Sequence, residues 1–151
     1  MNRQTSNKYT SSDQSSDNGS ISIPFFSNPV SAGFPSSAED HIERSLDLND
    51  LLIHHPAATF FVRASGRSME AAGIYDGDIL IVDRSLSATN GKIVIAVLNG
   101  EFTVKRIKII GEELFLAPEN PNFPLLKVEK ESDFQIWGIV TYVIHSCTDR
   151  L

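Results

Sequence analysis

Beyond residue 58, apolar residues come in short runs separated by turn residues, a pattern typical of β-strands. Each run is rich in Val, Ile, Leu or Phe, and Gly, Asn, Asp or Pro follows within two residues of every run but the last. The sequence therefore predicts a mostly β domain of roughly five or six short strands with little helix. The runs are residues 60–64, 79–82, 93–98, 101–110, 114–116 and 136–144.

The most specific turn signal is the dipeptide Asn99-Gly100, which separates two strand patterns. Both residue types tolerate positive φ, as a two-residue type I′ hairpin requires. Residues 101–110 are therefore expected to run back antiparallel to residues 92–98.

The N-terminal part of the chain has a different composition. Residues 1–20 are almost entirely polar and cannot bury enough apolar surface to offset the entropy of ordering, so they are predicted to be disordered. Residues 21–35 mix apolar residues with prolines, which predicts an extended segment able to lie in a groove. Ser36 followed by Glu39 matches a capping box and predicts a short helix over residues 37–46.

Composition narrows the classes of function. A chain of 151 residues that is 41% hydrophobic can bury one ordinary core. Its formal net charge of −6 disfavours direct DNA binding, because nonspecific affinity for nucleic acid comes from clustered Lys and Arg. The single cysteine, Cys147, cannot form an internal disulfide, which fits a reducing cytoplasm. We expect no metal or other cofactor and no membrane segment, since the motifs for them are missing from the sequence.

Ser68 is the first candidate for chemistry. It follows Gly66, which permits a sharp turn in which the backbone N–H groups of Arg67 and Ser68 point together at a developing oxyanion. Serines in turns also commonly do no more than bond their own backbone. Position alone leaves both interpretations open.

Lys105 is the second candidate, and it lies within a predicted strand. Side chains alternate along a strand, so Lys105 shares a face with Thr103 and Ile107, whereas Arg106 points the other way. Apolar neighbours favour the neutral amine that a lysine base needs. A sheet-edge lysine whose amine reaches water is the commoner meaning of such a position.

Competing schemes have weaker support. The histidines lie at a loop entry or near the C-terminus, so we expect them to be surface or half-buried residues rather than members of a Ser/His pair. Three aspartates flank a turn and a strand end, where this residue type favours bonds to backbone N–H groups over a metal. These three residues are Asp76, Asp78 and Asp83.

Six segments, taken together, are far more specific than any single residue. They are Ser31-Ala32-Gly33-Phe34-Pro35-Ser36, Leu51-Leu52-Ile53-His54-His55-Pro56, Phe61-Val62-Arg63-Ala64-Ser65-Gly66-Arg67-Ser68-Met69, Asp76-Gly77-Asp78, Ile81-Val82-Asp83 and Glu101-Phe102-Thr103-Val104-Lys105-Arg106. In this order, over residues 21–142, they closely resemble the UmuD/MucA-like branch of the LexA-like self-cleaving Ser/Lys peptidases.

The resemblance implies a fold and a set of roles. The expected fold is a strongly bent, mostly antiparallel β peptidase domain with a short helix and a flexible N-terminal arm. By resemblance, Ser68 is the nucleophile, Lys105 is the general base and Ala32-Gly33 is the scissile pair. Self-cleavage would remove residues 1–32 and leave residues 33–151 as the peptidase and dimerisation domain.

The resemblance also implies partners. A RecA filament on single-stranded DNA stimulates cleavage in this group, and the processed homodimer joins a UmuC-like Y-family polymerase in cytoplasmic translesion synthesis during SOS mutagenesis. A LexA-type repressor would need a helix-turn-helix domain upstream, which 32 mainly polar residues cannot form. The alternative is a Ser/Lys peptidase that acts on other proteins. The cleavable-looking pair Ala32-Gly33 in the same chain counts against it.

Overall fold

The computed structural model describes residues 23–26, 30–34 and 42–148. The chain divides into two units, one up to Asp47 and one from Leu48 onward. The predicted disordered stretch, residues 1–20, lies outside the described residues.

The first unit contains a pair of short antiparallel strands, β1 (Pro24–Phe26) and β2 (Ile42–Ser45). The pairing continues where the Leu46 N–H donates to the Ile23 carbonyl at 3.1 Å. The predicted helix over residues 37–46 is therefore wrong in its second half, and its first half lies outside the described residues. A capping box is a local signal, and hydrogen bonds to a strand distant in sequence override it.

The second unit is built on one seven-stranded sheet, in which every neighbouring pair is antiparallel. The prediction of a mostly β antiparallel domain is thus confirmed. The strand order across the sheet is β3-β4-β9-β5-β6-β7-β8. The strands are β3 (Thr59–Arg63), β4 (Ile79–Asp83), β5 (Ile93–Leu98), β6 (Glu101–Ile110), β7 (Glu113–Ala117), β8 (Leu126–Lys127) and β9 (Phe134–Ile144).

Helical structure in this unit is short. One α-helix, α1 (Leu48–Leu52), is followed by a 3₁₀ turn at Pro56–Ala58, and a second 3₁₀ turn, Glu70–Ala72, lies between β3 and β4. Within the ranges that the structure describes, no helix combines the length and the apolar character needed to cross a membrane.

The predicted hairpin joins β5 to β6. Asn99 and Gly100 have φ values of 51° and 84°, so both occupy the left-handed region that a type I′ turn requires. Leu98 pairs directly with Glu101, which leaves a two-residue loop and fixes the register of both strands. The hairpin prediction is confirmed, and the pairing places Lys105 opposite Val94 in the interior of the sheet.

Buried residues form two hydrophobic clusters, and β5 contributes to both because its side chains alternate between faces. Ile95 belongs to a cluster with Met69 and Leu80. Val94, next along the same strand, belongs to a second cluster with Ile107. The first cluster lies under the turn that carries Ser68, since Met69 is the next residue and is only 2% exposed.

Candidate active site

Ser68 lies in the turn that follows β3, and this turn is held at both ends. Gly66 adopts a φ of 88°, which favours glycine over other residues. Its N–H donates to the Asp76 carboxylate at 2.7 Å. On the other side, the side chain of Met69 is buried in the core. These two anchors leave the Ser68 side chain half-buried between a fixed turn and a fixed core residue.

Lys105 lies midway along β6 and is 9% exposed. Its Nζ is 2.9 Å from Ser68 Oγ, 3.0 Å from Thr103 Oγ1 and 3.0 Å from the Val104 carbonyl oxygen. The structure therefore brings together the two residues selected from the sequence, although they are 37 positions apart. The edge-lysine alternative does not hold, because the amine is directed to three protein atoms.

The three contacts of the Lys105 amine can be made by the charged form, which donates three N–H groups, and also by the neutral form. A neutral amine has two N–H donors and one lone pair. The carbonyl of Val104 and the hydroxyl of Thr103 can accept the two N–H groups, which leaves the lone pair for the Ser68 O–H. Burial lowers the pKa of Lys105 from its ordinary value of 10.5, because a charged amine loses hydration there. The site can therefore supply a base adjacent to a hydroxyl.

A cleft of about 290 Å³ opens over this pair. Ser68 and Lys105 both line it, and its remaining wall is mainly apolar. A volume of this size admits a small side chain and an extended backbone but no folded element. The apolar side chains of the wall are Val62, Ala64, Leu80, Ile95, Phe102 and Val104.

The predicted scissile pair belongs to the first unit. Ala32 and Gly33 are both exposed. The Gly33 N–H donates to Ser31 Oγ at 3.3 Å, two residues earlier in the chain. Exposure and the absence of large side chains at both positions are properties that a protease substrate needs.

Two of the histidines and two of the aspartates that competed for a catalytic role pair with each other. His55 Nδ1 lies 2.6 Å from Asp83 Oδ2, and His145 Nδ1 lies 2.7 Å from Asp78 Oδ1. Both imidazoles are about half exposed, with side-chain exposures of 51% and 49%. The prediction of surface or half-buried histidines is confirmed for these two residues.

The aspartates also bond backbone N–H groups, as predicted. Asp78 accepts from the Tyr75 N–H at 2.8 Å, and Asp83 accepts from the N–H of Ser85 at 2.7 Å. Burial raises the pKa of Asp83, but hydrogen bonds from Ser85 and His55 outweigh burial and hold the pKa below its ordinary value of 3.8. These carboxylates therefore stabilise turns and strand ends.

The sequence patterns do not select the polar groups that surround Ser68 and Lys105. Thr103 was placed on the face of Lys105, but its bond to the amine was not foreseen, although the two-residue spacing was a usable signal. The loop after β7 contains Pro118, Pro121 and Pro124 and no motif that marks a functional role. In the structure, Asn120 Nδ2 donates to the Arg67 carbonyl at 2.8 Å and the Glu119 N–H donates to the Ser68 carbonyl at 2.7 Å. No local pattern points to these contacts.

Comparison with known proteins gives the family. The sequence matches the Peptidase S24-like family over residues 24–141, a range that holds Ala32-Gly33, Ser68 and Lys105. The chain belongs to this family. Three relatives agree with the assignment. Protein MucA of Salmonella typhimurium is 45% identical over 122 residues, which are 80% of this chain and 83% of MucA.

The other two relatives are somewhat more similar over a comparable length of the chain. Protein SamA of Salmonella typhimurium strain LT2 is 48% identical over 122 residues, covering 81% of this chain and 84% of SamA. Protein ImpA of Shigella flexneri is 48% identical over 124 residues, covering 81% of this chain and 83% of ImpA. These relationships confirm the predicted UmuD/MucA-like affiliation, the serine endopeptidase activity and a UmuD-like function in SOS mutagenesis.

Proposed function

We propose that Ser68 and Lys105 form a catalytic dyad that cuts the Ala32–Gly33 bond of the same protein. The observation that carries the proposal is the 2.9 Å distance between Lys105 Nζ and Ser68 Oγ. A hydrogen bond of this length permits direct proton transfer. The lowered pKa of Lys105 increases the fraction of amine that can accept the proton.

The reaction is acyl transfer in two steps. Lys105 takes the Ser68 proton, Ser68 Oγ bonds to the Ala32 carbonyl carbon, and collapse of the tetrahedral intermediate breaks the bond to Gly33 nitrogen. Lys105 returns its proton to that nitrogen, so the new amine of Gly33 leaves. A water molecule then loses a proton to Lys105 while its oxygen bonds to the Ala32 carbonyl carbon. Collapse of this second intermediate breaks the ester bond to Ser68 Oγ, which takes the proton back from Lys105, and the released Ala32 carboxylic acid loses its own proton to solvent. The amine is neutral again at the end of the cycle.

The oxyanion of the intermediate is assigned to the backbone N–H groups of Arg67 and Ser68. Among the described residues, neither N–H donates to a backbone carbonyl, so both are available to a substrate. The turn that carries them is held by Gly66 and Met69 on either side. Preorganised donors of this kind stabilise negative charge without having to reorient during the reaction.

Cleavage converts one chain into two pieces with different uses. Residues 1–32 are released, and residues 33–151 remain as a peptidase and dimerisation domain. We assign to the processed form a homodimer that binds a UmuC-like Y-family polymerase in the cytoplasm. A RecA filament on single-stranded DNA accelerates cleavage by binding the cleavable arrangement more tightly than the others, since a partner shifts an equilibrium only through such a difference.

The dyad is tested by N-terminal sequencing of the fragment that the purified protein forms at alkaline pH without RecA. We expect a fragment that begins at Gly33 from the wild type and from Ser132→Ala, a matched serine variant in the loop between β8 and β9. Ser68→Ala and Lys105→Ala are expected to stay full length. Cleavage of Ser68→Ala at the same bond and the same rate would contradict the assignment of the nucleophile.

A mixing experiment separates self-processing from a peptidase that acts on other proteins. Reduced casein is incubated with the wild type. In parallel, full-length Ser68→Ala, which should not cleave itself, is incubated with the wild type as a substrate that carries the Ala32–Gly33 bond. We expect the wild type to leave casein intact under conditions in which its own chain is fully processed. Degradation of casein at a comparable rate would favour the alternative.

Equilibrium sedimentation of residues 33–151, alone and with a UmuC-like polymerase, tests the dimer and the partner.

A further inference from the structure

The loop between β7 and β8, residues 118–125, holds the turn that carries Ser68 through two adjacent carbonyl groups. Asn120 Nδ2 donates to the carbonyl oxygen of Arg67 at 2.8 Å. The Glu119 N–H donates to the carbonyl oxygen of Ser68 at 2.7 Å. The Glu119 carbonyl in turn accepts from the Ala71 N–H at 2.8 Å, just after the turn. The loop and the turn are therefore bonded to each other in both directions.

The Asn120 contact also sets the direction of a backbone donor. The carbonyl of Arg67 and the N–H of Ser68 belong to one planar peptide unit, and in a trans peptide they point in opposite directions. A side chain that fixes this carbonyl on one side therefore fixes the Ser68 N–H on the other. The Asn120 amide also polarises the peptide unit, which strengthens the N–H as a donor.

The loop is itself fixed to the strand that carries the base. Arg106, the residue after Lys105 on β6, donates from Nε to the Glu119 carboxylate. Its Nη1 donates to the Gly91 carbonyl at 2.7 Å, so the guanidinium has two anchors. Lys105 reaches Ser68 from one side of β6, while Arg106 holds the neighbouring loop from the other. Lys105 contacts the turn that carries Ser68 directly, and Arg106 contacts it through the loop.

From these contacts we infer that Asn120 is a positioning residue for the oxyanion donor at Ser68. The inference rests on the proposed Ser68/Lys105 dyad and adds a residue to it that is 15 positions beyond Lys105 in the sequence. Asn120 touches neither reacting atom. It acts through the Arg67–Ser68 peptide unit, whose N–H must face the carbonyl of Ala32 when that carbonyl becomes an oxyanion.

The test compares three variants by the rate of self-cleavage over a range of pH. Asn120→Ala removes the amide. Asn120→Asp replaces the donor with a carboxylate oxygen, adds a negative charge, and keeps an oxygen that can accept the Asn122 N–H, whose nitrogen lies 3.0 Å from Asn120 Oδ1. Asn122→Ala is the matched control, because it removes a nearby amide and leaves that backbone N–H in place. Thermal unfolding checks that each variant is folded.

We expect Asn120→Ala and Asn120→Asp to lower the plateau rate at alkaline pH by about tenfold or more. Removing an oxyanion donor outright costs roughly 100-fold or more, and a residue that acts through the donor should cost less. The pH midpoint of Asn120→Ala should stay at the wild-type value, because Asn120 does not contact the Lys105 amine. Asn122→Ala should cleave like the wild type.

Two results would overturn the inference. One is a folded Asn120→Asp protein that cleaves at the wild-type rate. The other is a slow Asn120→Ala protein whose pH midpoint has moved, since Asn120 would then act on the base. Ser68→Ala, measured in the same assay, distinguishes failure of the Asn120 inference from failure of the proposed Ser68/Lys105 dyad. If Ser68→Ala is inert while both Asn120 variants cleave normally, the dyad stands and only the positioning role falls.

Discussion

Burial of the Lys105 amine should be measurable as a pH dependence of stability, independently of any cleavage. The perturbation is Lys105→Met, which keeps a long side chain and removes the titrating group. Both the lysine and the methionine proteins are made with Ser68→Ala, so that neither cleaves itself. The quantity of interest is the difference between their free energies of unfolding as the pH rises. Every other titrating group is common to both and cancels.

The sign and size of that difference follow from the lowered pKa. Burial holds the folded-state pKa of Lys105 below 10.5, so between that pKa and 10.5 the unfolded chain binds more protons than the folded one. Stability of the lysine protein therefore rises with pH in that window, by about 1.4 kcal/mol for each pH unit. Below the folded-state pKa the amine is charged in both states, and the difference should be constant.

The assay is urea unfolding of both proteins at intervals from neutral pH to pH 10.5. Lys108→Met is the control, because Lys108 lies on the same strand and is exposed. The expected result is a pH slope for Lys105→Met that exceeds the slope for Lys108→Met. In the cleaving protein, the rate should rise tenfold per pH unit and level off at the pKa that unfolding reports. A flat difference for Lys105→Met, or one that falls with pH, would refute a neutral buried base.

Two further predictions concern stability. Gly138→Ala should lower the free energy of unfolding by about 1–3 kcal/mol. The reason is that an added Cβ would lie 2.7 Å from Val82 Cγ1 and 3.0 Å from the Asp83 carbonyl oxygen. An unchanged midpoint of urea unfolding would contradict this prediction, since it would show that β4 and β9 can separate at no cost. Asp83→Asn should be less stable than the wild type at neutral pH by about 1–3 kcal/mol. Its deficit should shrink as the pH falls from 3.8 through the lowered pKa of Asp83, whose contribution is complete only above 3.8. A deficit as large at pH 2 as at neutral pH would contradict this account.

Much of the fold was accessible from the sequence because its strands are specified locally. The runs 93–98 and 101–110 coincide with β5 and β6, since a turn that tolerates positive φ separates two apolar stretches. The helix predicted over residues 37–46 failed at Ile42–Ser45 for the opposite reason. Ile42–Ser45 is a strand because it pairs with Pro24–Phe26, and a pairing partner some 20 residues away leaves no trace in a local pattern.

The residues of the candidate site also divide into some that could be predicted from the sequence and some that could not. Ser68 and Lys105 could be selected because their segments resemble a known family, and the structure places their reactive atoms in hydrogen-bond contact. Glu119 and Asn120 could not be selected from the sequence, because they act by donating hydrogen bonds to the carbonyl groups of Ser68 and Arg67. These carbonyl groups lie 51 and 53 residues earlier in the chain. A loop rich in proline and asparagine is typical of many surfaces. Only the three-dimensional contact distinguishes this one.

The two-residue turn at Asn99-Gly100 has a chemical consequence as well as a structural one. Because side chains alternate along β6, a slip of one position would direct either Val104 or Arg106 toward Ser68 in place of Lys105. Valine has no basic group, and a guanidinium keeps its proton at any pH a protein tolerates. Either slipped form could keep its backbone hydrogen bonds, but it would turn the buried side chains of β6 outward and be catalytically silent. The geometry of one tight reversal therefore decides whether the strand presents a base at all.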